Sequence, residues 1–235
     1  MCTLTYIPNK NGIIITSNRD EHFSRGNSVF PVSVKGNGLS IFFPQDPQAG
    51  GSWIAADENR RITVLLNGAF KKHKHSPPYR MSRGIVLLDS FEYLDLLHFS
   101  QEYPLNQIEP FTMVQFQISE NKISEMRWDG QKASHQNMDP TTPHIWSSTS
   151  LYSTEVRWER RHWFSEWIQN PPLTPELMLE FHKFGGKDNV RNGITMHRSN
   201  GVQTVSITQL HGNSDHLDFT HYNLMQNETH HMKIS

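Results

Sequence analysis

The sequence predicts an α+β fold in which two antiparallel β-sheets pack face to face with helices outside. Three observations lead there. Short β-prone runs joined by strong turn signals occupy both ends of the chain, helical periodicity is concentrated in its middle, and no GxGxxG, GxxxxGK[ST], HExxH or CxxC pattern directs another architecture. The length of 235 residues suits one large domain, expected over 1–225, followed by a polar tail at 226–235.

Each element follows from local chemistry. Thr3–Ile7 and Gly12–Ser17 are β-prone, and Pro8-Asn9-Lys10-Asn11-Gly12 between them is rich in turn formers, which predicts a hairpin. Strands are expected next at Val29–Val34 and Leu39–Phe43, around Lys35-Gly36-Asn37-Gly38. The segment from Gly50 to Ala56 enters a strand that pairs with Ile62–Asn67, and the basic, proline-broken Lys71–Arg80 reads as an exposed loop. Leu87, Leu88, Phe91, Leu94 and Leu97 recur at helical spacing, predicting one helix between Ser82 and Ser100. Further strands are expected at Phe111–Ile118, Lys122–Trp128 and Ile145–Leu151. A helix over Ser153–Gln169 carries Val156, Trp163, Phe164 and Trp167 as an apolar stripe. Thr174-Pro175-Glu176 opens another with an N-cap, a first-position proline and an acidic first turn, and Gly185-Gly186 closes it. Strands at Gly193–Arg198, Val202–Leu210 and Leu217–Tyr222 complete the set.

Bulk properties narrow the function classes. Lys plus Arg number 22 against 23 Asp plus Glu, so nothing favours a nucleic acid partner. No run approaches the roughly 18 apolar residues of a membrane span, and the chain start lacks a basic segment followed by an apolar one. One cysteine excludes an intramolecular disulfide framework and fits a reducing, cytoplasmic setting. Composition leaves the oligomeric state open, and no residue cluster reads as a metal site.

That cysteine is the sharpest candidate. Removal of Met1 leaves Cys2 with a thiol and a free α-amine on one carbon. The thiol's reference pKa of ~8.5 lies close to the amine's ~7.7–8, so the amine can take the thiol proton. A hairpin centred near Lys10 sets Cys2 across from about Asn18, with Arg19 and Asp20 beside the chain start. A cationic Arg19 favours thiolate, and Asp20 can hold the ammonium or a substrate amine. Asn18-Arg19-Asp20-Glu21 is equally the composition of a solvated turn at a strand end. Asn67, before Gly68, is a carboxamide suited to stabilising an oxyanion, and the hydroxyls of Ser147, Ser148, Thr149 and Ser150 either line a cleft or satisfy turn backbone.

Met1-Cys2-Thr3, the tetrad Asn18-Arg19-Asp20-Glu21, Gly50-Gly51-Ser52-Trp53 and the strand ending Leu65-Leu66-Asn67 together resemble the NRDE family, also called the transport and Golgi organisation 2 family. That family is similar in turn to cysteine N-terminal nucleophile hydrolases of the penicillin V acylase and bile salt hydrolase type. The resemblance implies a four-layer αββα sandwich and hydrolysis of a carbon–nitrogen bond in a small-molecule amide through a thioester, with no cofactor. It makes Cys2 the nucleophile, with Arg19, Asp20, Asn67 and Arg191, or alternatively Arg198, as its catalytic partners. Asn18, Trp53 and Thr149 are the implied substrate contacts. The acylases space their arginine three residues before the aspartate, whereas Arg19 adjoins Asp20. They also carry a second asparagine where this chain has Ser147–Thr149, and the loss of such a donor typically costs on the order of 100-fold in rate. The same family implies an alternative, a non-catalytic carrier of haem or lipid, to which His73, His75, His230 and His231 among 14 histidines would contribute.

Overall fold

The β-prone first hairpin forms and extends further than its turn signals require. In the computed structural model, which describes residues 3–235, β1 (Thr3–Asn9) pairs antiparallel with β2 (Gly12–His22). Thr3 stands opposite Asn18. Cys2 lies outside the described residues. The Asn18–Glu21 tetrad is not a turn; it sits within β2, with Asn18, Arg19 and Asp20 all buried.

The chain divides into two compact units. The first takes the residues up to Asn27 together with Thr141–Ser148 and Tyr152–Ser235, and the second takes Ser28–Pro140 with Thr149–Leu151. The second unit builds a sheet in simple meander order from β3 (Val29–Gly36), β4 (Leu39–Gln45), β5 (Ile54–Asp57), β6 (Arg61–Asn67), β7 (Phe111–Gln117), β8 (Lys122–Trp128) and β9 (Ala133–Met138). Its helices are α1 (Arg83–Asp89) and α2 (Leu96–Glu102). The single helix expected between Ser82 and Ser100 is broken for two local reasons. Ser90 Oγ donates back to the Leu87 carbonyl, and Asp95 caps a new start by accepting from the His98 N–H at 2.9 Å. Arg61 of β6 seals the gap, donating to the carbonyls of Phe91 (2.7 Å), Tyr93 (2.5 Å) and Leu94 (3.3 Å). Val86, Leu87, Phe91, Leu96 and Phe99 then pack on Phe43, Leu65, Phe111, Met113 and Met126 of the sheet.

The Gly-Gly-Ser-Trp segment has a packing role in this unit. A Cβ on Gly51 would fall 2.3 Å from the Gly84 carbonyl carbon, so α1 and the segment meet backbone to backbone, and Ser52 N–H donates to the Gly84 carbonyl at 3.1 Å.

The sheet of the first unit has the order β10 (His144–Ser147), β1, β2, β11 (Val202–Gly212), β12 (Leu217–Asn223), β13 (Glu228–Ile234). β13 replaces the polar tail expected at 226–235, and its Ile234 is buried opposite Leu217. The strand expected at Gly193–Arg198 is instead a series of turns with one bridge, His197 to Gln203. Helices α3 (Thr154–Trp167) and α4 (Pro175–Phe184) start at Ser153 and Thr174, whose hydroxyls accept from the N–H groups of Val156 and Leu177. Phe164, Met178 and Phe181 of these helices pack on Ile7 and Ile14 of the sheet. Among the described residues no helix is long and apolar enough to cross a membrane.

Candidate functional site

Strand alternation decides what the tetrad can do. Successive side chains of a strand point to opposite faces, so Asn18 and Asp20 share the face of the sheet that meets α3 and α4 while Arg19 points away. Asn18 is committed to packing. Its Nδ2 donates to the carbonyls of His182 (3.1 Å) and Ile194 (2.9 Å). Carbonyls only accept, so this fixes the amide orientation and leaves Oδ1 to accept from His182 Nδ1 at 2.6 Å. His182 therefore carries its proton on Nδ1, and Nε2 accepts from the Thr5 hydroxyl at 2.8 Å. Through these bonds Asn18, an implied substrate contact, ties β2 to α4.

Asp20 is the centre of the first unit's polar network. One carboxylate oxygen accepts from the Tyr152 hydroxyl and the other from Thr204 Oγ1. Thr204 faces Asp20 directly across β2 and β11, beside the register shift between Thr204 and Ser206. The guanidinium of Arg160 lies 3.7 Å from the centre of the Tyr152 ring, and that of Arg198 lies 5.4 Å from it. Arg160 is fully buried and donates to Thr3 Oγ1, to the Gly193 carbonyl, and to the Asn192 carbonyl at 3.1 Å. A carboxylate, a phenol, a guanidinium and Thr3 thus stand in one connected row. Arg191, by contrast, is exposed and offers its carbonyl to Arg198 Nε at 3.2 Å.

On the opposite face, Arg19 heads a buried polar patch. Arg19, Ser206 and Asn223 form one cross-strand row, with Ser17, Thr208 and His221 in the next. Thr208 Oγ1 lies 3.0 Å from His221 Nδ1. Burial first, then the nearby His230 and Arg19, pushes His221 down to about 3. Burial, with a smaller contribution from Arg160, likewise lowers His182 to about 3.

These two histidines predict a pH dependence. Both are neutral when folded, whereas in the unfolded chain they take up protons below ~6.5, so stability is held above that pH and falls as pH drops toward 3. Each contributes a slope of about 1.4 kcal/mol per pH unit in that window. Urea unfolding at pH 7 and pH 5 is expected to show the fall, and His182→Gln to reduce the slope by one proton. An unchanged slope in that variant would remove His182 from the account.

In the second unit, Asn67 ends β6 and is half-buried, with its carbonyl 3.4 Å from the Ser150 N–H. Trp53 is buried just before β5, and its carbonyl accepts from the Leu65 N–H at 2.9 Å. Thr149 is buried within the same unit. His73 and His75 both contact Glu109, at 2.9 and 3.3 Å, and Arg83 pairs with that carboxylate at 2.9 Å. His230 and His231 are exposed neighbours on β13, so strand alternation turns them to opposite faces. Among the described residues no three His, Cys, Asp or Glu side chains converge as metal ligands.

Arg160, Tyr152 and Thr204 were not visible as site residues in the sequence. Arg160 had one signal: it stands at i+4 from Val156 and i−4 from Phe164, inside the apolar stripe of α3, where a charged residue needs an internal partner.

Three solved structures share the fold of this chain. The N-acylethanolamine-hydrolyzing acid amidase ortholog of Caenorhabditis elegans matches with a TM-score of 0.59 at 12% identity, over 89% of this chain and 92% of that one. Penicillin V acylase from Agrobacterium tumefaciens matches at 0.56 and 9% identity, over 99% and 86% of the two chains. Conjugated bile acid hydrolase from Clostridium perfringens matches at 0.54 and 10% identity, over 99% and 92%. These likenesses show the fold, the α+β class of two antiparallel sheets expected from the sequence. No curated protein matches the chain in sequence. The family model described as Transport and Golgi organisation 2 matches residues 1–182, and the chain belongs to that family.

Proposed function

We propose that this protein is a cysteine amidohydrolase that cleaves the carbon–nitrogen bond of a small-molecule amide, with Cys2 as nucleophile. The observation that carries the reading is the anchoring of Thr3, the residue to which Cys2 is peptide-bonded. Thr3 is fully buried, pairs with Asn18, and has its hydroxyl held by the buried Arg160. A nucleophile needs a fixed attachment, because catalysis by proximity is lost with small displacements. The fold shared with an acid amidase, a penicillin V acylase and a conjugated bile acid hydrolase supports the same reading.

The chemistry balances without a cofactor. After removal of Met1, the α-amine of Cys2 takes the thiol proton and the thiolate attacks the amide carbonyl carbon. Asn67 and backbone N–H groups stabilise the oxyanion that develops. Collapse breaks the carbon–nitrogen bond, the α-ammonium returns its proton to the departing amine, and a thioester remains. Water then adds to the thioester carbonyl, releasing a carboxylic acid and the free thiol. The Asp20 carboxylate supplies negative charge that favours the ammonium form, and its two hydroxyl partners keep it in place. Arg19 favours thiolate by its charge. A cytoplasmic setting, which suits a free thiol, belongs to the same proposal.

The test begins with intact mass and ends with a trapped intermediate. The purified protein is expected to lack Met1 and, on acid quench during turnover of N-palmitoylethanolamine, penicillin V or glycocholate, to carry the acyl mass on Cys2. Retention of Met1 denies Cys2 its amine and overturns the mechanism.

A further inference from the structure

The connection between β6 and α1, residues 68–82, has no regular structure, and a loop of this length inside a compact unit usually has a binding role. This one is held at several points. Arg127 donates to the Ala69 carbonyl at 2.9 Å and is itself fixed by Glu125. His73 and Arg83 converge on the Glu109 carboxylate, each at 2.9 Å. Ser76 N–H donates to the Tyr79 hydroxyl at 2.8 Å, and Arg80 N–H to the Gln107 carbonyl at 2.9 Å.

The anchored loop holds charge and one ring outward. Lys71, Lys72 and Lys74 are exposed, and the carboxylate that meets the loop, Glu109, is taken by His73, His75 and Arg83 rather than by a lysine. Over 59–88 the chain has seven Lys or Arg and no Asp or Glu, although its net charge as a whole is −1. Phe70, next to Lys71, is 50% exposed, with the Arg127 guanidinium 5.3 Å from its ring centre. A phenyl ring half in water forgoes the stabilisation of burial, and here other residues hold it there.

The combination selects the partner. Lysine is a hydrated point charge that needs no fixed geometry, which suits the headgroup plane of an anionic bilayer. A single-stranded nucleic acid would stack on the ring face, which Arg127 already covers on one side, and would gain nothing from the exposed Pro77 and Pro78. A bilayer offers an apolar boundary directly beneath its charged plane. We propose that the loop at 70–80 is a contact site for anionic lipid membrane surfaces, in which Lys71, Lys72 and Lys74 meet the headgroups and Phe70 enters the acyl boundary. It operates whether or not the chain cleaves an amide.

Vesicle co-sedimentation of the full chain tests it. Binding is expected to phosphatidylcholine vesicles containing about a third phosphatidylserine, and not to phosphatidylcholine alone. Each lysine near such a surface strengthens binding about 5-fold, so the combined Lys71→Gln, Lys72→Gln and Lys74→Gln variant is expected to lose about 100-fold. Phe70→Ser should lose about 5-fold. Raising salt from ~0.1 to ~0.5 M should remove the lysine contribution and leave that of Phe70. Exchanging the exposed Lys10, Lys132 and Lys187 for Gln removes the same charge elsewhere and is expected to change little. An equal loss in that control would reduce the effect to net charge and overturn the site. Equal binding to both vesicle types, or a loop variant within about 2-fold of the unaltered chain, overturns it as well. Tighter retention by polyuridine than by the phosphatidylserine vesicles would make the loop a nucleic acid site and overturn the lipid assignment.

Discussion

Replacement of Cys2 by serine is expected to abolish amide cleavage, by on the order of 10⁴-fold or more. The size of the effect follows from proton affinities. An α-amine with pKa ~7.7–8 can deprotonate a thiol of ~8.5 with little penalty, whereas an alcohol lies far beyond its reach. A serine at the same place keeps the amine and the surroundings but removes the thiolate. Initial rates of amine release, compared between the unaltered chain and the serine variant after both have lost Met1, measure the difference. A serine variant within 10-fold of the unaltered rate would rule out a thioester route and with it the proposed nucleophile.

Arg160→Met is expected to be the most destabilising single change in the first unit. The guanidinium is fully buried, spreads its N–H groups over Thr3 Oγ1 and the carbonyls of Asn192 and Gly193, and lies on the Tyr152 ring. Methionine fills most of the volume but leaves three acceptors without their donor and the Tyr152 ring without its stacked cation. Breaking a buried charged arrangement from one side costs about 3–5 kcal/mol, or roughly 10 °C in Tm for a chain of this size. Arg160→Lys should recover little, because an ammonium cannot reproduce the planar fork or the stacking. Thermal unfolding by near-ultraviolet dichroism, which reports the tyrosine and tryptophan environment, checks both. A loss below about 1 kcal/mol would mean that the network is dispensable to the fold.

The elements that could be read from the sequence are those whose ends carry chemistry. Asn11-Gly12 marks the first hairpin, Asn121 in the left-handed region turns β7 into β8, and Thr174-Pro175 opens α4. The strands that escaped notice, β9 and β13, lie at sheet edges. Their sequences, Ala-Ser-His-Gln-Asn-Met and Glu-Thr-His-His-Met-Lys-Ile, are largely polar and solvent-facing, so no alternation betrays them. Gly193–Arg198 failed in the opposite sense. Its apolar residues suggested a strand, yet the segment is bent so that the carbonyls of Gly193 and Ile194 reach Arg160 and Asn18. At the site, Asp20 was legible through the tetrad. Tyr152 and Thr204 were not, because they reach Asp20 from distant segments and share no local spacing with it. The separation of Arg19 from Asp20 was implicit in the two-residue period of a strand, and was hidden only by reading the tetrad as a turn.

The order of strands in the first unit has a consequence for biosynthesis. β1 and β2 are made first, but β2 finds its second neighbour only in β11, after the whole of Ser28–Pro140 has been translated. The second unit is nearly continuous in sequence and emerges as one run, so it can gain structure while the first sheet still lacks four of its six strands. Asn18 waits for His182 and Asp20 for Thr204. An unfinished chain on the ribosome therefore carries Asp20 without its Thr204 partner, and under the proposed mechanism amide cleavage would mature only near the end of synthesis.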